Sequence, residues 1–201
     1  MGRLHPYELE APLRDALRTL IVRGLLLPFT GTVYRAMRLK YASPEEAISG
    51  AGAATWGGRW NPPGLATFYA STTYEVAHAE VVIAAKYYGA SITNELPRVE
   101  AAFDVRLTRT FDLSSRRVLR QMRLTQKSLR AVDWRAANGG GHEALTQAIG
   151  RLAAALDVEG LIVPSAEIRG GRNLVVFPRL LRRGSHLRAR GLERLRGLLS
   201  H

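Results

Sequence analysis

Apolar residues in YELEAPLRDALRTLIVRGLLL recur at Leu13, Leu17, Leu20 and Ile21, the spacing of one helical face, and predict a helix within residues 7–27. GTVYRAM (31–37) follows a glycine-containing turn and reads as a strand. LATFYAS (65–71) predicts a second, with Phe68 and Tyr69 facing opposite sides. STTYEVAHAEVVIAAKYYG returns to helical spacing, with serine and threonine to cap its start and Gly89 to end it. Weak alternation predicts a strand over 96–108, and HEALTQAIGRLAAALD predicts a helix over 142–157. GLIVPS (160–165) and NLVVF (173–177) read as buried strands. The stretch 112–140 is polar, basic and poorly periodic. After Pro178, leucines at 187, 192, 195, 198 and 199 predict a helical tail. Strands and helices that mix without strict alternation predict an α+β fold, a single domain with a largely antiparallel sheet and flanking helices. An N-terminal helical extension (1–30) and a basic tail (179–201) are expected to bracket a globular part at 31–178.

A chain of 201 residues is long enough for one domain with a real core. It has no cysteine, which excludes disulfides and thiolate metal sites. The most apolar N-terminal run, TLIVRGLLLPF, is too short for a membrane span and is broken by Arg23, so a cytoplasmic protein without membrane attachment is expected. The net charge is +12, unevenly spread. Residues 1–100 carry 10 Lys+Arg against 9 Asp+Glu, whereas residues 101–201 carry 19 against 8. Such asymmetry points to an anionic partner: nucleic acid, an acidic protein or a phosphorylated small molecule.

Three places carry candidate chemistry. WGGRWNPPG (56–64) sets Arg59 between residues that bend sharply and residues that cannot bend, a stiff loop suited to aiming a guanidinium at a planar anion. Glu80 shares the apolar helical stripe of Val76 and Ile83, where a carboxylate is costly unless it is paired or works in a pocket. Arg59 is the expected partner whether that role is architectural or chemical. Ser165 closes the apolar strand GLIVPS, a position where side chains meet clefts. His78 and His142 lack partners at metal spacing, so no metal site is expected, and SGAGAA (49–54) lacks the spacing of a dinucleotide-binding glycine motif.

YRA (34–36), GGRWNPPGLATFYAS (57–71), the glutamate of AHAEVV (77–82), VPSA (163–166) and NLVVF (173–177) together resemble the RES domain, over roughly residues 31–178. The resemblance implies a fold like that of the ADP-ribosyltransferases. It also implies the toxin of a toxin–antitoxin pair, an enzyme that cleaves NAD+ as a glycohydrolase or phosphorylase. NAD+ is then substrate and no separate cofactor is expected. The family's namesake residues map onto Arg59, Glu80 and Ser165, and Arg35, Tyr69 and Asn173 join them as residues that bind NAD+. The implied partner is an Xre-like helix-turn-helix antitoxin, with DNA reached only through it. The basic tail is expected to be either a partner surface, for an acidic antitoxin or for the acidic face of a second copy in a homo-oligomer, or a docked helix.

The nicotinamide leaves as a neutral pyridine, so the demand falls on the oxocarbenium-like ribose, which a nearby carboxylate stabilises. Glu80 suits that role, Arg59 and Arg35 the diphosphate, and Tyr69 the nicotinamide ring or a ribose hydroxyl. Ser165 suits a bond to the carboxamide or a ribose hydroxyl. For Trp60, packing is favoured over stacking on a ligand. Two alternatives stay open: transfer of ADP-ribose to a protein, and a non-enzymatic nucleic-acid-binding basic module, although the arginine-rich stretches show no interleaved aromatics.

Overall fold

A computed structural model describes residues 6–87 and 98–194. Helix α1 (Pro6–Val22) buries Leu13, Leu17 and Leu20, as the spacing predicts. Strand β1 (Leu27–Arg38) begins earlier than expected, inside the stretch read as helical extension. Two short helices follow, α2 (Pro44–Ser49) and α3 (Ala51–Trp56), then strand β2 (Phe68–Ser71). Helix α4 (Tyr74–Tyr87) opens where the Thr73 hydroxyl accepts the Val76 N–H at 3.4 Å. Its predicted stop at Gly89, and the first residues of the strand expected from 96, lie outside the described residues.

Strand β3 (Arg98–Asp112) is long, and the weakly patterned stretch after it folds into three helices of six residues or fewer: α5 (Arg116–Gln121), α6 (Gln126–Arg130) and α7 (Trp134–Gly139). Helix α8 (Leu145–Ala155) leads into β4 (Gly160–Pro164) and β5 (Arg172–Val176). The tail departs from expectation. It makes a 3-10 turn at Pro178–Leu180 and then strand β6 (His186–Ala189). Gly184 and Gly191, both at positive φ, bracket this strand, helical backbone begins only at residues 192–194, and Leu187 and Leu192 are buried beside the sheet. Leu195, Leu198 and Leu199 lie outside the described residues.

The strands are ordered β1-β2-β5-β4-β3-β6, and β1 also pairs with β3, so the sheet curls round into a barrel-like closure. All pairings are antiparallel except β3 with β4. Alternation along the strands feeds two cores. Leu161, Val163 and Val175 join α1, α5 and α8 in one, whereas Leu174 and Val176 join Val33, Phe68 and Phe103 in the other. Asn173 interrupts this apolar register. It sits opposite both Ser71 of β2 and Val163 of β4, which sets two polar side chains next to each other near the ends of β2 and β5.

Candidate active site

The loop after α3 is fastened from several sides. Gly58 N–H donates to the Asn61 carbonyl at 2.9 Å, which leaves Arg59 and Trp60 at the tip of a tight turn. The fully buried Asn61 amide donates to the carbonyls of Ala53, Pro62 and Leu65. The Tyr69 hydroxyl donates to Asn61 Oδ1 at 2.7 Å and accepts the Trp60 N–H at 2.9 Å. From α8, the Gln147 amide donates to the carbonyls of Gly58 and Asn61. Gly150 of the same helix passes so close that an added Cβ would stand 1.8 Å from the Trp60 carbonyl oxygen. Trp60 is buried in the core, as its packing role requires.

Arg59 uses Nη2 on the carbonyls of Leu129 (3.0 Å) and Arg130 (2.7 Å) at the end of α6. Its Nε and Nη1 hydrogens have no protein partner among the described residues. Burial draws its pKa below the ordinary arginine value, Glu167 opposes that, and Arg135 adds to the lowering. The guanidinium nevertheless stays charged at any physiological pH. The expected Arg59–Glu80 ion pair does not form.

Glu80 is held instead by the strand ends. Ser165 Oγ donates to its Oε1 at 2.6 Å and Asn173 Nδ2 donates to the same oxygen at 2.8 Å. Ser165 is fully buried, and its hydroxyl also accepts the Ile168 N–H at 3.1 Å within the β4–β5 turn. Oε2 of Glu80 has no partner among the described residues. The apolar-stripe placement of Glu80 is thus explained by neutral donors, which fix a carboxylate without neutralising it.

Glu80, Tyr69 and Asn173 line two adjoining cavities. The larger, about 410 Å³, is walled by Arg59, the α6–α7 turn and Glu167, and the smaller, about 250 Å³, by Tyr34, Arg35 and Arg98. Arg35 shares the core-facing side of β1 with Val33 and Met37. Its guanidinium donates to the Ala47 carbonyl at 3.0 Å, lies 5.2 Å from the centre of the Phe68 ring, and has its pKa lowered by burial. It therefore stands in a different lobe from Arg59. Two further expectations are corrected. Ser165 lies beneath Glu80 rather than facing the cavity, and the Tyr69 hydroxyl is fully used within the loop, so only its ring is offered to a ligand. Among the described residues no cluster of three acidic or histidine side chains is placed to hold a metal ion, and no helix is long and apolar enough to cross a membrane.

Sequence reasoning missed Arg130, Asp133, Trp134, Arg135 and Glu167, which wall the larger cavity. The signal present was the tripeptide Asp-Trp-Arg at 133–135, an aromatic inside a basic stretch that has no periodicity of its own.

A carboxylate on a hydroxyl–amide floor, with arginines on both sides and a curled sheet behind, defines an α+β protein with a charged, two-lobed ligand cleft. The family model described as the RES domain matches residues 32–194, and the chain belongs to that family. It is 34% identical over 138 residues to proteins named NAD(+) phosphorylase MbcT from Mycobacterium bovis (strain ATCC BAA-935 / AF2122/97) and Mycobacterium tuberculosis (strain ATCC 25618 / H37Rv). The match covers 66% of this chain and 66% of each relative, just under two thirds of their length. Its fold is similar to a chain of the M. tuberculosis MbcT-MbcA toxin-antitoxin complex, with a TM-score of 0.68 and 24% identity over 89% of both chains.

Proposed function

We propose that this protein is an NAD+-degrading toxin that breaks the nicotinamide–ribose bond, with phosphate or water as acceptor. The observation that carries the reading is Glu80, whose Oε1 is pinned by Ser165 and Asn173 while Oε2 is left unpartnered at the meeting of the two cavities. The scissile bond joins ribose C1′ to the pyridinium nitrogen. Its electron pair leaves with the ring as neutral nicotinamide, and positive charge grows on C1′ and the ring oxygen. A carboxylate held rigidly beside that charge stabilises it more in the transition state than in the ground state. An oxygen of phosphate or water then bonds to C1′, and the attacking water loses its proton. Arg59 supplies cationic N–H groups for the diphosphate from a loop that is already ordered, so little entropy is lost on binding. The naming of the 34%-identical relatives as NAD(+) phosphorylases favours phosphate as acceptor. The curled sheet agrees with an ADP-ribosyltransferase-like fold, and the likeness to a chain of a toxin-antitoxin complex supports an antitoxin partner, for which an Xre-like helix-turn-helix protein is our reading.

The test is release of nicotinamide from NAD+ by purified protein, with and without phosphate, beside Glu80→Gln. Release that falls about a thousandfold in the variant is the expected result, and dependence on phosphate identifies the acceptor. Release that is equal in both proteins sinks the assignment of Glu80. Labelled ADP-ribose appearing on protein instead would make the chain a protein-modifying transferase.

A further inference from the structure

The larger cavity holds more chemistry than bond cleavage needs. At its outer wall Trp134 and Arg135 stack, with the guanidinium carbon 4.4 Å from the indole centre. Asp133 beside them uses Oδ1 to cap α7, accepting N–H bonds from Arg135 (3.1 Å) and Ala136 (3.0 Å). Its Oδ2, and the whole carboxylate of Glu167, have no hydrogen-bond partner among the described residues. Carboxylate oxygens that accept no protein donor, Asp133 Oδ2 and both of Glu167, are a poor lining for phosphate. They are a good one for neutral donors such as ribose hydroxyls, the use that acidic side chains have in sites for NAD+ as against its 2′-phosphorylated form. A flat indole backed by a guanidinium is in turn a stacking platform for a base.

We propose that the α6–α7 turn together with Glu167 is the subsite for the adenosine half of the dinucleotide. The Trp134–Arg135 stack takes the purine. Asp133 and Glu167 accept the adenosine ribose hydroxyls, and their charge repels a 2′-phosphate. The subsite rests on the reading of the cleft as an NAD+ site, and it selects whole NAD+ over both nicotinamide mononucleotide and NADP+. The first lacks the adenosine half but has the same scissile bond.

The experiment compares kcat/KM for nicotinamide release from NAD+, NADP+ and nicotinamide mononucleotide. Wild type should prefer NAD+ over both. Trp134→Ala should collapse the NAD+/mononucleotide ratio by roughly tenfold to a hundredfold, mainly through KM for NAD+, and Trp134→Phe should restore most of it. Asp133→Asn combined with Glu167→Gln, in which the asparagine still caps α7, should narrow the gap between NAD+ and NADP+. A Trp134→Ala that loses activity equally on both nicotinamide substrates, or a wild type that treats them alike, overturns the subsite. If wild type cleaves none of the three, the reaction assigned above fails separately, and calorimetry with ADP-ribose decides: a tenfold weaker complex with Trp134→Ala keeps the subsite, and unchanged affinity removes it.

Discussion

Ser165 has one hydroxyl hydrogen, and Glu80 receives it. Because the serine is fully buried beneath the carboxylate, any part it has in the proposed reaction passes through Glu80. Ser165→Ala should therefore lower kcat roughly tenfold while KM stays within about twofold, since one charge-assisted bond is removed and no substrate contact is lost. Steady-state kinetics of nicotinamide release reads both numbers, and a change confined to KM would contradict the positioning role. Tyr69 makes a different case. Burial pushes its phenol well above the ordinary tyrosine value, more than the Trp60 N–H and Arg59 pull it down. The raised value means that the neutral phenol stabilises the fold fully below pH ~10 and that this contribution is lost as pH rises above it, because the unfolded chain ionises first. Tyr69→Phe should cost about 2 kcal/mol at pH 7 through the orphaned Asn61 Oδ1 and Trp60 N–H, and the deficit should shrink in urea titrations above pH 10. Of these residues, Glu80 and Ser165 were legible in the sequence because each breaks an apolar pattern. The partner of Glu80 was not, since a serine and an asparagine eight residues apart meet it only after β4 and β5 pair.

The element that most constrains the site is the loop 57–64, and its rigidity is tertiary. Prolines and glycines announced a stiff segment, but the clamp comes from α8, ninety residues on, through Gln147 and Gly150. A glycine inside a helix weakens it by about 1 kcal/mol relative to alanine. Here that weakness is required, because the Trp60 carbonyl occupies the space of a side chain. Gly150→Ala should thus reverse the usual sign and destabilise by about 3 kcal/mol or more, as the clash separates α8 from the loop. Urea unfolding measures this, and a stabilised variant would show that the contact is not there. The same logic explains what was unreadable. Helices α5, α6 and α7 are too short to show a period, so the hold of α6 on Arg59 leaves no mark in the pattern. Strand β6 was mistaken for helix because leucines five residues apart fit either reading until Gly184 and Gly191 are known to adopt positive φ.

At the scale of the whole molecule, the junction of β3, β4 and the segment leading to β6 is tied by Glu159, a residue no pattern singles out because its partners are mostly backbone. It is fully buried at the entry to β4. Its Oε2 accepts from Thr108 N (2.7 Å), Thr108 Oγ1 (2.7 Å) and Arg109 N (2.8 Å), where β3 turns from β6 towards β4, and its Oε1 accepts from Arg182 N (2.7 Å) in the tail. One carboxylate thus joins the long strand, the short strand and the segment leading to β6, the three pieces that bring the last strand onto the sheet. Burial alone would raise its pKa, but the nearby Ser185 hydroxyl and the donors of Arg182 and Thr108 outweigh burial and hold it below the ordinary carboxylate value. A depressed carboxylate stabilises the fold fully above the unfolded value, near pH 4.3, and that contribution drains away as pH falls through the folded value. Glu159→Gln keeps the shape but sets an amide NH2 against N–H donors, and should cost about 3 kcal/mol at pH 7. Urea unfolding of both proteins between pH 7 and pH 3 checks the argument: the gap between them should narrow with acid as wild type loses what the variant never had. A gap that stays constant across that range would mean that the carboxylate's charge contributes nothing to holding these three segments together.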